Sequence, residues 1–185
     1  MRKAADKLRS LRKELRLQTP SCPSWLLRDS LFSYTAHAEG SNTIAIGYGT
    51  HAEGYQTAAI NTGAHAEGAG AIAEGKYAHV EGLNTYAQGN YSHAGGYGTI
   101  AQGEAQTAVG RYNLPDLTAL FIVGNGTADA YSNAFVVNAD GTATIAAAPI
   151  NDMDVATKQY VDSKLSEVLA GITEILSGLH SGGIQ

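Results

Sequence analysis

The sequence predicts a mainly β fold, a parallel solenoid of 14-residue coils that associates into trimers and carries a helix at each end. Glycine recurs every seven residues between 40 and 110, histidine recurs every 14 residues between 37 and 93, and an aliphatic heptad pattern lies near the C-terminal end. Large side chains are scarce, with three Phe, two Met and one Trp among 185 residues. Such a chain cannot fill the core of one globule, so repetition and association have to supply the burial.

A seven-residue unit of the form Ala-x-Gly runs through residues 38–110. Its glycine series has one exception, Asn61, a residue type that tolerates a left-handed backbone better than most. Its alanine series also has one exception, Val80. Histidines mark every second unit: His37, His51, His65, His79 and His93. The repeated unit is therefore seven residues long, and two units make one coil.

The seven-residue period does not indicate a coiled coil over these residues. Glycine in every heptad would cost a helix about 1 kcal/mol each, and no apolar stripe accompanies it. A short strand followed by a turn fits the pattern better. Stacked coils then form parallel strands about 4.8 Å apart, which makes residues 36–113 the predicted solenoid.

Side-chain alternation along each strand predicts which face points inward. The small face, such as Thr43, Ala45 and Gly47, recurs in every unit and is expected inside a narrow roll. The variable face is expected outside. On one sheet it presents a row of His and Glu side chains: His37, Glu39, His51, Glu53, His65, Glu67, His79, Glu81 and His93.

On the other sheet, the outward face is a largely apolar row. Its members are Ile44, Ile46, Ile60, Ile72, Tyr86 and Ile100. An exposed apolar strip usually marks an interface. We therefore expect this sheet to contact identical chains about a three-fold axis.

Residues 1–35 are predicted to form a basic helix followed by an apolar segment that anchors the chain or caps the solenoid. Residues 1–30 carry eight Lys or Arg against three Asp or Glu, a balance of +5, whereas the rest of the chain carries −10. The helix is expected over 2–17, and it either forms a short parallel coiled coil or lies on a partner. The candidate anchoring residues are Leu8, Leu11, Leu15, Trp25, Leu26, Leu27 and Phe32. No apolar signal-peptide core follows the basic residues, so no signal peptide is expected.

After Gly110 the register is lost, and residues 114–150 are expected to form short strands with a hairpin turn at 138–141. Asn151 or Asp152 is expected to cap a helix over 151–180, before a flexible tail at 181–185. The helix carries aliphatic residues at 4-3-4-3-4 spacing: Val161, Leu165, Val168, Ile172, Ile175 and Leu179. This spacing predicts a three-stranded coiled coil, a clamp on an assembly that the solenoid also holds together.

The His and Glu rows are the only candidates for site chemistry. His and Glu two residues apart on a strand share a face, and they can hydrogen-bond or bind Zn²⁺. A repeated array favours a structural ladder over contacts with a glycan or receptor, and favours both over a metal site. The rows are expected to titrate together at about pH 6. No nucleophile–base motif, phosphate-binding loop or paired-cysteine site is present, so neither an enzyme nor a cofactor is expected.

Composition and charge argue against further classes. The acidic body disfavours nucleic-acid binding. No run of about 18 apolar residues occurs, so no membrane span is expected. Cys22 is the single cysteine, so no intrachain disulfide can form.

Several segments resemble known fibrous proteins. The Ala-x-Gly units, with Thr43-Ile44-Ala45-Ile46-Gly47 among them, resemble the head repeats of trimeric autotransporter adhesins of the YadA type. The His-Ala-Glu-Gly units, together with residues 120–126, 132–135 and 155–162, resemble fibre proteins of bacteriophages. The first resemblance implies a left-handed parallel β-roll assembled as a trimer.

The second resemblance implies a structural and attachment fibre of a bacteriophage virion, of the tail-fibre type. Its N-terminal part would be held by other virion proteins, and its distal part would be offered to a host-surface glycan or protein. A capsid fibre or decoration protein and a bacterial surface adhesin are alternatives. The adhesins carry a signal peptide and an outer-membrane anchor, neither of which is expected here, so we expect a location on the surface of the virion.

Overall fold

The computed structural model describes residue 10 and residues 29–31, 35–151 and 153–181. It divides the chain into two compact units, Met1–Ala143 and Thr144–Gln185. The predicted anchoring residues all lie outside the described residues: Leu8, Leu11, Leu15, Trp25, Leu26, Leu27 and Phe32. The anchoring role and the helix over 2–17 therefore stay predictions.

Fifteen strands and a long helix follow one another along the described chain. They are β1 (Asp29–Leu31), β2 (His37–Ser41), β3 (Thr43–Ala45), β4 (His51–Tyr55), β5 (Ala58–Ala59), β6 (His65–Ala66), β7 (Ile72–Ala73), β8 (His79–Leu83), β9 (Tyr86–Ala87), β10 (His93–Tyr97), β11 (Ile100–Ala101), β12 (Thr107–Arg111), β13 (Ala119–Asn125), β14 (Asn133–Asn138), β15 (Ala143–Ile145) and α1 (Lys158–Ser181). The fold is mainly β, as the sequence predicts.

The strands form two sheets whose order gives the solenoid directly. The isoleucine sheet has six strands in the order β1-β3-β5-β7-β9-β11, and the histidine sheet has nine in the order β15-β14-β13-β12-β10-β8-β6-β4-β2. Neighbouring strands up to β12 are parallel and pair residues one coil apart, such as His37 with His51 and Ile44 with Ala58. The chain therefore climbs 14 residues per coil, which confirms the predicted parallel solenoid.

The interior of the roll is lined by small side chains from both sheets. Nine alanines of the Ala-x-Gly units, from Ala45 to Ala108, have no solvent exposure and belong to one packed cluster, against which the partly buried Ala38 packs. Val80 replaces alanine in this row and is equally buried. A second buried row, two residues before these alanines, is made of Thr43, Thr50, Thr57, Ala64, Ala71, Ala78, Thr85, Ser92, Thr99, Gln106 and Asn113. The prediction that the small face points inward is confirmed.

The repeated glycines are required by the close approach of adjacent coils. A Cβ built on Gly82 would lie 2.2 Å from the carbonyl oxygen of Gly96 in the next coil. On the isoleucine sheet, a Cβ on Gly75 would lie 1.9 Å from the carbonyl oxygen of Gly89. Both distances are far below van der Waals contact, so any larger residue would push the coils apart.

The left-handed turn residue recurs with the same period but lies two positions after the repeated glycine. Backbone φ angles between +42° and +66° occur at Asn42, Gly49, Gln56, Gly63, Gly70, Tyr77, Asn84, Tyr91, Gly98, Ala105 and Tyr112. The expectation that Asn61 supplies a left-handed backbone is wrong, because Asn61 is not among the residues with positive φ. Its side-chain amide instead donates a hydrogen bond to the Glu74 carbonyl in the next coil.

The last strand of the isoleucine sheet is closed by a side chain rather than by another strand. The Asn113 carboxamide accepts a hydrogen bond from the Ile100 N–H at 2.7 Å and donates one to the Ile100 carbonyl at 3.0 Å. These are the two backbone groups that a following strand would have satisfied. Gln106 closes the adjacent corner, where its oxygen accepts from the Gln102 N–H at 2.8 Å.

The histidine sheet continues beyond the repeat and then reverses direction. β12 pairs in parallel with β13, and β13 pairs antiparallel with β14. The hairpin turn predicted at 138–141 is confirmed: the Gly141 N–H donates to the Asn138 carbonyl at 3.1 Å, and Gly141 has a φ of +85°. Thr142 donates twice to the Asp140 carboxylate, which lowers the pKa of that carboxyl.

The C-terminal helix begins later than the sequence suggested. A cap at Asn151 or Asp152 is wrong, because α1 begins at Lys158. The N–H groups of Ile150 and Asn151 donate to the Asp154 carboxylate and close a turn there. Thr157 is the cap, since its hydroxyl accepts from the Tyr160 N–H at 3.2 Å. Within the described residues, no helix combines the length and apolarity that a bilayer crossing requires.

Candidate functional surfaces

The five repeated histidines form one continuous column on the histidine sheet. Each pairs with the histidine one coil away, from His37 at one end to His93 at the other. Successive ring centroids lie 4.7, 4.8, 4.8 and 5.0 Å apart. This spacing equals the strand separation, so the backbone ladder fixes the column. We name this column the histidine ladder.

Glutamates two residues further along each strand form a parallel row beside the ladder. His51 Nε2 lies 3.1 Å from the Glu53 carboxylate, and His65 Nε2 lies 3.9 Å from that of Glu67. The row stops at the fifth coil, where Gly95 takes the glutamate position. There, His93 Nε2 lies 3.7 Å from Glu81, which belongs to the preceding coil. The structure thus brings the predicted His and Glu rows together on one side of the solenoid, with Glu67 directly following β6.

His79 has a different electrostatic environment from a free imidazole. Burial lowers the pKa of His79 below its ordinary 6.5, and the neighbouring His65 and His93 lower it further. Glu81 and Glu67 act in the opposite direction but do not reverse the shift. The cause is that desolvation and nearby like charges both disfavour the imidazolium.

The ladder places imidazole nitrogens beside carboxylates. Among the residues described here, no group of three or more His, Cys, Asp or Glu is placed to hold a metal ion. The Nε2 atoms of His65 and His93 are buried and make no hydrogen bond, although each faces a carboxylate at ion-pair distance.

The apolar row on the isoleucine sheet is less accessible than expected. Ile44, Ile72 and Tyr86 are 3%, 0% and 7% exposed within the single chain. Ile46, Ile60 and Ile100 are only partly buried and pack against this cluster. The expectation of an exposed strip is wrong for the first three, because their burial needs no second chain. Contact with identical chains at this sheet stays a prediction.

A hydrogen-bonded polar chain lies beside the apolar row, and sequence reasoning missed it. The Gln102 side chain donates to that of Gln88 at 2.9 Å, and Gln88 donates to the Tyr86 hydroxyl at 3.1 Å. The Tyr86 hydroxyl in turn donates to the Glu74 carboxylate. Burial and then this hydrogen bond raise the pKa of Tyr86. The change from isoleucine at 46 and 60 to Glu and Gln at 74, 88 and 102 was the available signal.

The aliphatic stripe of α1 is exposed along the helix. Its six predicted members, Val161, Leu165, Val168, Ile172, Ile175 and Leu179, are between 48% and 70% exposed. Sequence reasoning missed two further members, Leu169 and Leu176, which are 55% and 54% exposed. Each directly follows a predicted seam residue, so together they widen the apolar face. An exposed face of this size on one helix indicates an interaction surface.

Two tyrosines next to the ladder were also missed. The rings of Tyr77 and Tyr91 stack 5.8 Å apart with an angle of 3° between their planes. Both occupy the left-handed turn position two residues before a ladder histidine, and both are more than half exposed. The seven-residue register would have placed them there, since each lies two residues after a repeated glycine.

These features together define a repeat protein with a parallel β-solenoid, a titratable surface ladder and an exposed helical stripe. A scan against models of known protein families and a search of curated protein sequences both found no match for this chain. A role for the chain therefore has to be argued from its fold and surfaces.

Proposed function

We propose that this chain is a non-enzymatic structural and attachment fibre of a bacteriophage virion, of the tail-fibre type, assembled as a trimer. The observation that carries the proposal is the aliphatic stripe of α1, whose members stay about half exposed or more over roughly five turns of helix. A stripe with 4-3-4-3-4 spacing is the seam of a coiled coil, and β-branched residues at both seam positions are compatible with three strands.

The solenoid suits a spacer that holds two ends of a fibre apart. Each coil bonds to the next through its backbone, and the turns do so as well, as in the Tyr77 N–H bond to Thr62 at 2.8 Å. A stack of this kind is rigid along its axis and needs no bulky core. In the trimer we propose, the roll is left-handed and its isoleucine sheet lies towards the three-fold axis. The polar chain from Gln102 to Glu74 fits beside that axis, because its side chains already bond to one another.

The ends of the fibre have different roles in this proposal. The basic and apolar residues 1–35 attach the fibre to other virion proteins. Their net charge is positive, whereas that of the rest of the chain is negative, and a positive charge suits an acidic partner surface. The distal part is presented to a glycan or protein on the host surface. The repetition of the His and Glu rows supports a structural role for them, because catalytic groups are normally assembled once per chain.

The virion location is tested by immunogold electron microscopy with an antibody raised against the full chain. We expect gold particles on phage particles from a lysate of the source culture, concentrated at the tail. Label on the capsid would replace the tail-fibre assignment with a capsid fibre. Label confined to the bacterial envelope in uninfected cells would overturn the virion proposal in favour of a surface adhesin.

A further inference from the structure

The rungs of the histidine ladder differ in the negative charge that faces them. His51, His65 and His93 each have a carboxylate between 3.1 and 3.9 Å from Nε2. His37 and His79 have none within ion-pair distance among the described residues, and of these two only His79 lies between two other ladder histidines. The two nearest glutamates are turned to other rungs, with Glu67 paired to His65 and Glu81 paired to His93.

His79 is also held between two other imidazoles. Its ring centroid lies 4.8 Å from that of His65 and 5.0 Å from that of His93, and the His79 and His93 rings are close to parallel at 18°. The backbone pairing of β6, β8 and β10 places the three histidines on adjacent strands, one strand spacing apart. Unit charges of the same sign at this distance repel unless a counter-charge or water screens them.

We propose that the histidine ladder makes the middle of the solenoid acid-sensitive, with His79 as the rung whose protonation opposes the stacking of β6, β8 and β10. His51, His65 and His93 each lie beside a carboxylate. A proton on His79 instead enters a ring that lies between two other imidazoles and has no carboxylate within ion-pair distance among the described residues. Protonation of His79 is therefore opposed by its neighbours in the ladder.

The groups that face His79 can all be named. They are His65 on β6, Glu67 directly after β6, His93 on β10, and Glu81 on β8 itself. Position 95 on β10 is a glycine and contributes no charge. Tyr77 and Tyr91 belong to the turns that precede β8 and β10. The loss of the fifth glutamate thus leaves this end of the ladder with one carboxylate fewer than the other.

The direction of the stability change follows from the lowered pKa of His79. The unfolded chain binds a proton at His79 with a pKa of 6.5, and the folded chain binds it only at lower pH. Above 6.5 both states are neutral at this position, so the full stability of the fold is present there. As pH falls below 6.5, the unfolded state gains protons first, and stability is lost until pH has passed through the folded pKa.

The proposal is tested on the full chain by thermal unfolding at about pH 8 and about pH 5, the range over which histidine changes charge. The variant is His79→Gln, which keeps a polar side chain and removes the charge. The matched control is His51→Gln, because His51 lies in the same column but faces a carboxylate at 3.1 Å. We expect the midpoint of the wild type to fall on acidification, the His79→Gln midpoint to fall by a clearly smaller amount, and His51→Gln to keep at least the wild-type loss.

An NMR titration of the wild type gives a second readout that needs no variant to fold. We expect the His79 ring resonances to report a midpoint below 6.5. Hydrogen exchange at the amides of β8 is expected to accelerate below that midpoint more than exchange at β3, which carries no ladder histidine. A His79 midpoint at or above 6.5, or an acid loss in His79→Gln equal to that of the wild type, would overturn the proposal.

Discussion

Replacing Gly82 with alanine is expected to destabilise the solenoid by roughly 3–5 kcal/mol, among the largest effects of any single methyl group in this chain. Two causes act together. The added Cβ would lie 2.2 Å from the Gly96 carbonyl oxygen, so the coils have to separate, and Gly82 has a φ of +101° that alanine adopts only with strain. Separation of the coils at this point weakens the pairing of β8 with β10. The free energy of unfolding, measured by denaturant titration followed by circular dichroism, gives the loss.

Gly49→Ala is the matched control for the Gly82 substitution. Gly49 also has a positive φ, +65°, but nothing lies within 4 Å of the position that an added Cβ would take. Ala105 occupies the equivalent turn position further along the solenoid, with a φ of 54°, so alanine is compatible with this turn. The control is expected to cost about 1 kcal/mol, the backbone term alone. Equal losses in the two variants would contradict the claim that close stacking of coils adds to the backbone cost at the repeated glycine.

Replacing Ile172 with lysine is expected to unfold the C-terminal helix at much lower temperature than in the wild type. Ile172 lies at the centre of the aliphatic stripe and is 48% exposed in the single chain. In the proposed trimer, the Ile172 side chains of the three chains are buried against one another at the same height along the coiled coil. Lysine removes this burial, which costs about 2–5 kcal/mol per chain, and places three ammonium groups opposite one another. An isolated helix of this length is marginal in water. The helical circular dichroism signal followed on heating measures the effect.

Ala170→Lys is the control for the helix substitution. It introduces the same charge on the opposite face, where Glu167 lies three residues before and Glu174 four residues after, so it is expected to be neutral or slightly stabilising. Sedimentation of both variants reports whether the trimer persists. If Ile172→Lys and Ala170→Lys melt alike, the stripe is not a packed seam and the coiled-coil assignment is wrong.

Much of the fold could be predicted because repetition removes ambiguity. One strand of uncertain register is hard to place, but His37, His51, His65, His79 and His93 at equal spacing allow only a stack in register. The inward face was predictable for a similar reason. A position that holds alanine in every unit but one, where it holds Val80, has to lie where only small side chains fit.

The details that sequence reasoning missed depend on contacts between coils. The repeated glycine was correctly linked to a turn, but the close approach of adjacent coils that also requires it was missed. The left-handed position two residues later was missed as well, and it includes Tyr77 and Tyr91. No propensity rule places tyrosine in that conformation. Asn113 was equally hidden, since an asparagine that stands in for a missing strand is recognisable only once Ile100 is known to end the sheet.

The candidate surfaces were predicted unevenly for the same reason. The 14-residue period predicted which residues form the His and Glu rows. It did not predict which histidine each glutamate contacts, because that depends on side-chain rotation, as in the contact of Glu81 with His93. The burial of Ile72 within one chain also depends on how side chains of successive coils cover one another. The start of α1 was displaced because the Asp154 carboxylate closes a separate turn with the N–H groups of Ile150 and Asn151, and Thr157 then caps the helix.

Whether this chain assembles as a three-chain fibre is decided by the molar mass of the purified full chain in solution. Multi-angle light scattering coupled to size exclusion gives this mass without assuming a shape. We expect three times the 19.3 kDa of one chain, unchanged over a wide range of protein concentration. A folded species with the mass of a single chain would refute the trimer and, with it, the proposed fibre.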